Sequence, residues 1–163
     1  MSNLDDNLQL HLKLDEVTNQ NGTAIVEDAS GNNHNGTVHG ATLVADDTFG
    51  SCLSFDGTND YVDCGSGNFQ IKGSNVRTIM AWAYTRSFND GGIFQAGPTG
   101  TTAKDFSLRT YKSDNLWRMQ FWGSDRDVTL DNSKDTWNHY ALVYDGSVAT
   151  LYYNGILHKL SDL

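Results

Sequence analysis

The residues best suited to chemistry lie in two strand-like runs, 105–111 and 116–122. Side chains alternate across a strand, so Phe106 and Leu108 share a face with Trp117, Met119 and Phe121. The opposite face then collects Arg109, Tyr111, Arg118, Gln120 and Trp122. Aromatic area beside a few polar groups suits sugar rings, which offer both C–H patches and hydroxyls. Trp122 would be the stacking platform, with Arg118 and Gln120 orienting hydroxyls. The competing reading is that loops cover this face and Trp122 packs in a core. Trp82, within Met80-Ala81-Trp82-Ala83-Tyr84, and Trp137 are expected in the core.

A second cluster is rich in oxygen. Asp28-Ala29-Ser30-Gly31-Asn32-Asn33-His34-Asn35-Gly36 offers the carboxylate, amide and carbonyl ligands that calcium takes from a flexible loop. The same residues suit an Asx-turn, in which Asp28 accepts backbone N–H groups and no metal is needed. Asp46-Asp47 and Asn89-Asp90-Gly91 are weaker metal candidates.

Nothing comparable supports catalysis. A retaining glycosidase needs two carboxylates about 5–5.5 Å apart, which alternating acids on one strand can supply. Of 20 acidic residues only Glu16 and Glu27 are Glu, and they lie far apart. The closest Asp spacings, Asp125 with Asp127 and Asp131 with Asp135, fall in turn-rich sequence. Gly-x-Ser-x-Gly, His-Glu-x-x-His and phosphate-loop patterns are all missing. The histidines (11, 34, 39, 139 and 158) are scattered, and His11 and His139 fall in expected strands.

The elements that must position these residues are strands. The acid excess is almost all Asp, a turn residue, and it comes with 16 Gly. In 8–14 every even residue is Leu and every odd one polar, the pattern of a half-buried strand. Further strands are expected at 52–56, 60–64, 77–85, 92–96, 105–111, 116–122, 126–130, 137–144, 147–153 and 156–160. Asp145-Gly146 and Asn154-Gly155 read as type I′ turns, making 137–160 a three-stranded meander. The runs 52–56 and 60–64 read as a hairpin flanked by Cys52 and Cys64, with free thiols favoured over a bond. Pro98 sits in the clearest irregular stretch. Two sequons, at Asn21 and Asn35, read as chance occurrences.

A net charge of −9 opposes nucleic-acid binding and favours cations. No apolar run reaches the roughly 20 residues of a membrane span. The start, MSNLDDNLQL, lacks the basic and apolar regions of a signal peptide, so the expected setting is inside the cell or in a longer exported chain.

Three segments in order carry a family likeness: Leu14-Asp15-Glu16 followed by Glu27 to Thr37; Leu53-Ser54-Phe55-Asp56-Gly57-Thr58-Asn59-Asp60-Tyr61-Val62; and Trp137 to Gly146 followed by Leu151-Tyr152-Tyr153-Asn154-Gly155. Together they resemble the laminin-G-like, concanavalin A-like jelly-roll superfamily over residues 8 to about 158. The resemblance implies one all-β domain over 1–163, a two-sheet antiparallel jelly roll. It also implies a structural calcium held by Asp28 with Asn33 or Asn35. Family members usually continue through further strands after the last Asn-Gly turn. Their lack here leaves an edge beside 8–14 that self-association or the chain's own ends are expected to cover. The expected function is non-catalytic recognition of a glycan or cell-surface or matrix protein, at the cell surface or outside the cell. The alternative is an assembly domain with no glycan ligand; a hydrolase is the remote third.

Overall fold

In the run Trp137–Tyr144, alternate residues Tyr140, Leu142 and Tyr144 are buried, and so the run becomes the interior strand of a sheet. The computed structural model describes residues 7–65, 75–97, 106–121 and 123–162. Among these are fourteen strands and no α-helix, and every strand pairing is antiparallel. The expected all-β antiparallel class is what the chain adopts. It divides into two compact units, Met1–Gln70 and Ile71–Leu163.

In the first unit, β1 (Thr18–Gln20), β2 (Thr23–Val26), β3 (Gly36–His39) and β6 (Tyr61–Asp63) form one sheet in that order. β4 (Thr42–Asp46) and β5 (Gly50–Ser54) form a separate hairpin. The 52–56/60–64 hairpin expected from sequence is therefore not formed, because β5 pairs with β4 and β6 with β3. The Asp56–Asp60 loop between them is closed by its own side chains instead. Asp56 Oδ1 accepts Thr58 N–H at 2.7 Å, and Asp60 Oδ2 accepts Asp56 N–H at 2.8 Å. A Cβ at Gly40 (φ 75°) would fall on the Asp60 carboxylate, so only glycine fits there. Cys52 faces Val44 across the β4–β5 ladder, and the two cysteines are not joined by a disulfide.

Residues 8–14 are not a strand, which corrects the expectation of a free edge there. Their alternation of burial persists, but their ladder is a single bridge, Leu12 to Asp28. Side chains of the 28–34 loop satisfy the backbone instead. Asn32 Nδ2 donates to Leu8 O at 2.8 Å, and His34 Nδ1 lies 3.0 Å from Gln9 O. Leu14 then breaks the extended run at φ 60°.

The second unit has two four-stranded sheets. β7 (Arg77–Tyr84), β12 (Trp137–Tyr144), β13 (Val148–Tyr153) and β14 (Ile156–Asp162) order as β14-β13-β12-β7. β8 (Gly92–Ala96), β9 (Phe106–Thr110), β10 (Leu116–Gln120) and β11 (Arg126–Thr129) order as β11-β10-β9-β8. Their inner faces share one apolar cluster, including Phe106, Leu108, Trp117 and Met119 from one sheet and Tyr140, Leu142 and Leu151 from the other. The expected meander is present as β12, β13 and β14. Asn154 (φ 49°) and Gly155 (φ 78°) form its I′-type turn. The Asp145-Gly146 turn differs: only Gly146 has positive φ, and Asp145 Oδ1 accepts Ser147 and Val148 N–H.

Candidate functional site

The oxygen-rich loop is built as a hydrogen-bonded turn around Asp28. Asp28 Oδ1 accepts His11 N–H and Ser30 N–H, each at 2.9 Å; Oδ2 accepts Ser30 Oγ–H at 2.7 Å and His34 N–H at 3.0 Å. Asn35 Oδ1 accepts Asp28 N–H at 2.9 Å, and Asn33 supplies a left-handed bend at φ 60°. A carboxylate has about four lone-pair sites, and here all of them are used. No group of three or more His, Cys, Asp or Glu among the described residues is placed to hold a metal. The donor set as built does not fit calcium, because the ion would have to displace these N–H and O–H groups.

The same bonds set an acid response. Partial burial raises the Asp28 carboxyl pKa, but the donors from His11, Ser30 and His34 outweigh this and hold it at about 2, below the usual 3.8. A depressed carboxyl stabilises the fold above its unfolded value, and that contribution is lost as pH falls from about 3.8 towards 2. Melting temperature measured across this window is expected to fall in the wild type more than in Asp28→Asn, by a modest amount because the group is largely solvated.

Strand parity places the Arg–Tyr residues as expected. Arg109 and Arg118 are directly opposed across β9 and β10, with the Arg118 guanidinium 3.5 Å and the Arg109 guanidinium 5.2 Å from the Tyr111 ring centroid. Gln120 lies on the same face but is buried, opposite Ser107. Trp122 and the Pro98 loop lie outside the described residues. Arg118 is already committed. It grips Asp127 with two bonds, Nε to Oδ1 at 2.7 Å and Nη2 to Oδ2 at 2.9 Å, and Asp125 lies 3.6 Å away. Its hydrogen bond with Asp127 raises the Arg118 pKa and lowers that of Asp127.

The other sheet corrects the placement of Trp82 and Trp137. Neither is in the core. Trp82 is 55% exposed, and both line an open cavity of about 620 Å³ with His139, Asn154 and Gly155. The run Met80-Ala81-Trp82-Ala83-Tyr84 is apolar on both faces, so hydropathy cannot say which one points inward. The structure buries the small side, Ile79 and Ala83, against the core cluster and turns Met80, Trp82 and Tyr84 outward. Register then sets His139 opposite Trp82 and Trp137 opposite Tyr84. The rings meet edge to face at 5.3 Å and 5.9 Å.

The Asn154-Gly155 turn borders this quartet and is braced on it. Asn154 N–H donates to His139 O, and Asn154 Oδ1 accepts His139 N–H, both at 2.9 Å. Asn154 Nδ2 donates to Asn138 Oδ1 at 2.9 Å, and the Tyr153 hydroxyl donates to the same oxygen at 2.8 Å. Asn138 is itself buried, with Nδ2 donating to Thr136 O at 3.1 Å. The outward residues of β7, β12 and β13 include no Asp, Glu, Lys or Arg. On a chain of net charge −9 this is an uncharged, aromatic, partly polar surface.

A family profile described as the concanavalin A-like lectin/glucanases superfamily, of the laminin G type, matches residues 56–162. No curated protein matches the chain. The match takes in the whole of the second unit's two-sheet core, with both ring pairs and the meander that supports them. The chain therefore belongs to the laminin-G-type branch of the concanavalin A-like lectin/glucanases superfamily.

Proposed function

We propose that the chain is a non-catalytic recognition module that holds an uncharged saccharide on the outer face of β7, β12 and β13. The observation that carries this reading is the exposed Trp82–His139 and Tyr84–Trp137 ring pairs on a face with no formal charge. Sugar C–H faces pack on such rings, and His139 and the Gly155 turn border the cavity with polar groups. The carboxylates support the non-catalytic part. Asp125 and Asp127 both face Arg118, whose bonds lower the Asp127 pKa, whereas a glycosidase acid needs a raised one. Such a module acts as the binding part of a longer exported protein, at a cell surface or in matrix.

A glycan array followed by calorimetry on the best neutral oligosaccharide tests this. Trp82→Ala is expected to weaken binding at least about tenfold, or roughly 1.4 kcal/mol. It should cost only about 1 kcal/mol of stability, because the exposed ring contributes little beyond its edge-to-face pair. No binding to any neutral glycan would overturn the reading. Equal binding by Trp82→Ala would do the same for this face. A wild-type dimer that Trp82→Ala dissociates, with no glycan bound, would assign the face to chain–chain assembly instead.

A further inference from the structure

We infer that the second unit carries a separate anion site, on the outer face of β9, which seats one carboxylate of an organic ligand against Arg109. Three cations gather on the Tyr111 ring: the Lys112 ammonium at 4.5 Å, the Arg118 guanidinium at 3.5 Å and the Arg109 guanidinium at 5.2 Å from its centroid. Among the described residues two carboxylates answer them, and Asp127 is stabilised by the Lys112 and Arg109 charges as well as by Arg118. Asp127 is gripped by Arg118, and Asp125 lies against the same guanidinium. Asp114, the nearest acid after Lys112 in sequence, is held by Lys134 at 2.7 Å. Among the described residues Arg109 makes no ion pair, and its Nε is buried without a hydrogen-bond partner. A cation with an N–H lacking an acceptor is costly to bury, and Arg109 is only partly buried, so an acceptor from solvent would meet the guanidinium on the side away from its covered Nε.

The fold also leaves room for one. Across the ladder from Arg109 stands Gly92, where a Cβ would meet nothing within 4 Å. The missing side chain leaves open space on the β8 side of Arg109, across β9 from Arg118 on β10. A guanidinium pairs best with a carboxylate, through two parallel N–H···O bonds. One unanswered positive charge suits a monoanion. The site lies on the other sheet from the aromatic face and stands or falls independently of it.

The test is a titration of the full chain with sodium galacturonate, followed by ¹⁵N NMR of the Arg109 Nε–H. Galactose, the same ring without the carboxylate, and acetate, the carboxylate without the ring, are run beside it. A saturable shift with galacturonate and none with galactose is expected. Acetate should compete, and the ratio of its midpoint to that of galacturonate tells a bare carboxylate reader from an acidic-sugar reader. Arg109→Gln and Gly92→Val should each weaken galacturonate at least tenfold. Gly92 lies in open space with no left-handed φ, so valine there leaves the fold intact and fills the seat. No saturable shift, an equal response to galactose, or undiminished binding by Arg109→Gln would overturn the site. Undiminished binding by Gly92→Val would overturn the seat beside it.

Discussion

Trp117→Ala is expected to lower stability by about 3–5 kcal/mol and bring the second unit close to unfolding at ordinary temperatures. Trp117 is fully buried, with its ring 4.6 Å from that of Tyr140 and 5.6 Å from that of Phe88. Those contacts join the inner faces of the two sheets, so truncation empties the centre of the shared core. The loss is also polar. Trp117 Nε1–H donates to the Ser133 hydroxyl at 2.9 Å, which donates on to Asn115 Oδ1 at 3.1 Å. Alanine leaves the buried Ser133 oxygen without its donor. Denaturant unfolding of wild type and variant checks the figure, and a loss below about 1 kcal/mol would mean the core does not centre on this ring.

Asn138→Ala is expected to cost about 2–3 kcal/mol and to weaken glycan binding without touching the ligand. The Asn138 side chain is a buried hub, accepting from Tyr153 and Asn154 on one oxygen and donating to backbone carbonyls through its nitrogen. Removing it strands polar groups at about 1–3 kcal/mol for a buried, unsatisfied one. It also frees Asn154, which fixes the turn beside His139. Unfolding and calorimetry on the same variant separate the two effects. Trp82→Ala should lose binding with its stability nearly kept, whereas Asn138→Ala should lose some of both.

Alternation made the second unit legible. The runs 137–144, 116–122 and 105–111 each have one large apolar face, so a parity argument places Trp117 and Leu142 inward and Arg118 outward, as found. Parity cannot choose where both faces are apolar, as in Met80 to Tyr84, and the candidate site lies there. The exposed tryptophans follow once β7 is set against β12, since Ile79 and Ala83 already fill the inner side. The first unit is less legible because β1 to β4 are only three to five residues long, too short for an alternating period to show. One signal was present. Asn21-Gly22, read as a sequon, adopts φ 54° and 85° in a two-residue turn joining β1 to β2. In 8–14 the period was right and the element wrong, because Asn32, Ser30 and His34 take the backbone groups a neighbouring strand would have used.

The most direct test of the central claim is chemical-shift mapping with the neutral oligosaccharide that binds best on the array. The indole N–H signals of Trp82 and Trp137 and the amides of His139 and Gly155 are expected to move together and saturate with one midpoint. The indole signal of Trp117, buried and bonded to Ser133, should stay in place. Saturable shifts confined to residues off the outer face of β7, β12 and β13, with the Trp82 and Trp137 indoles unmoved, would contradict it.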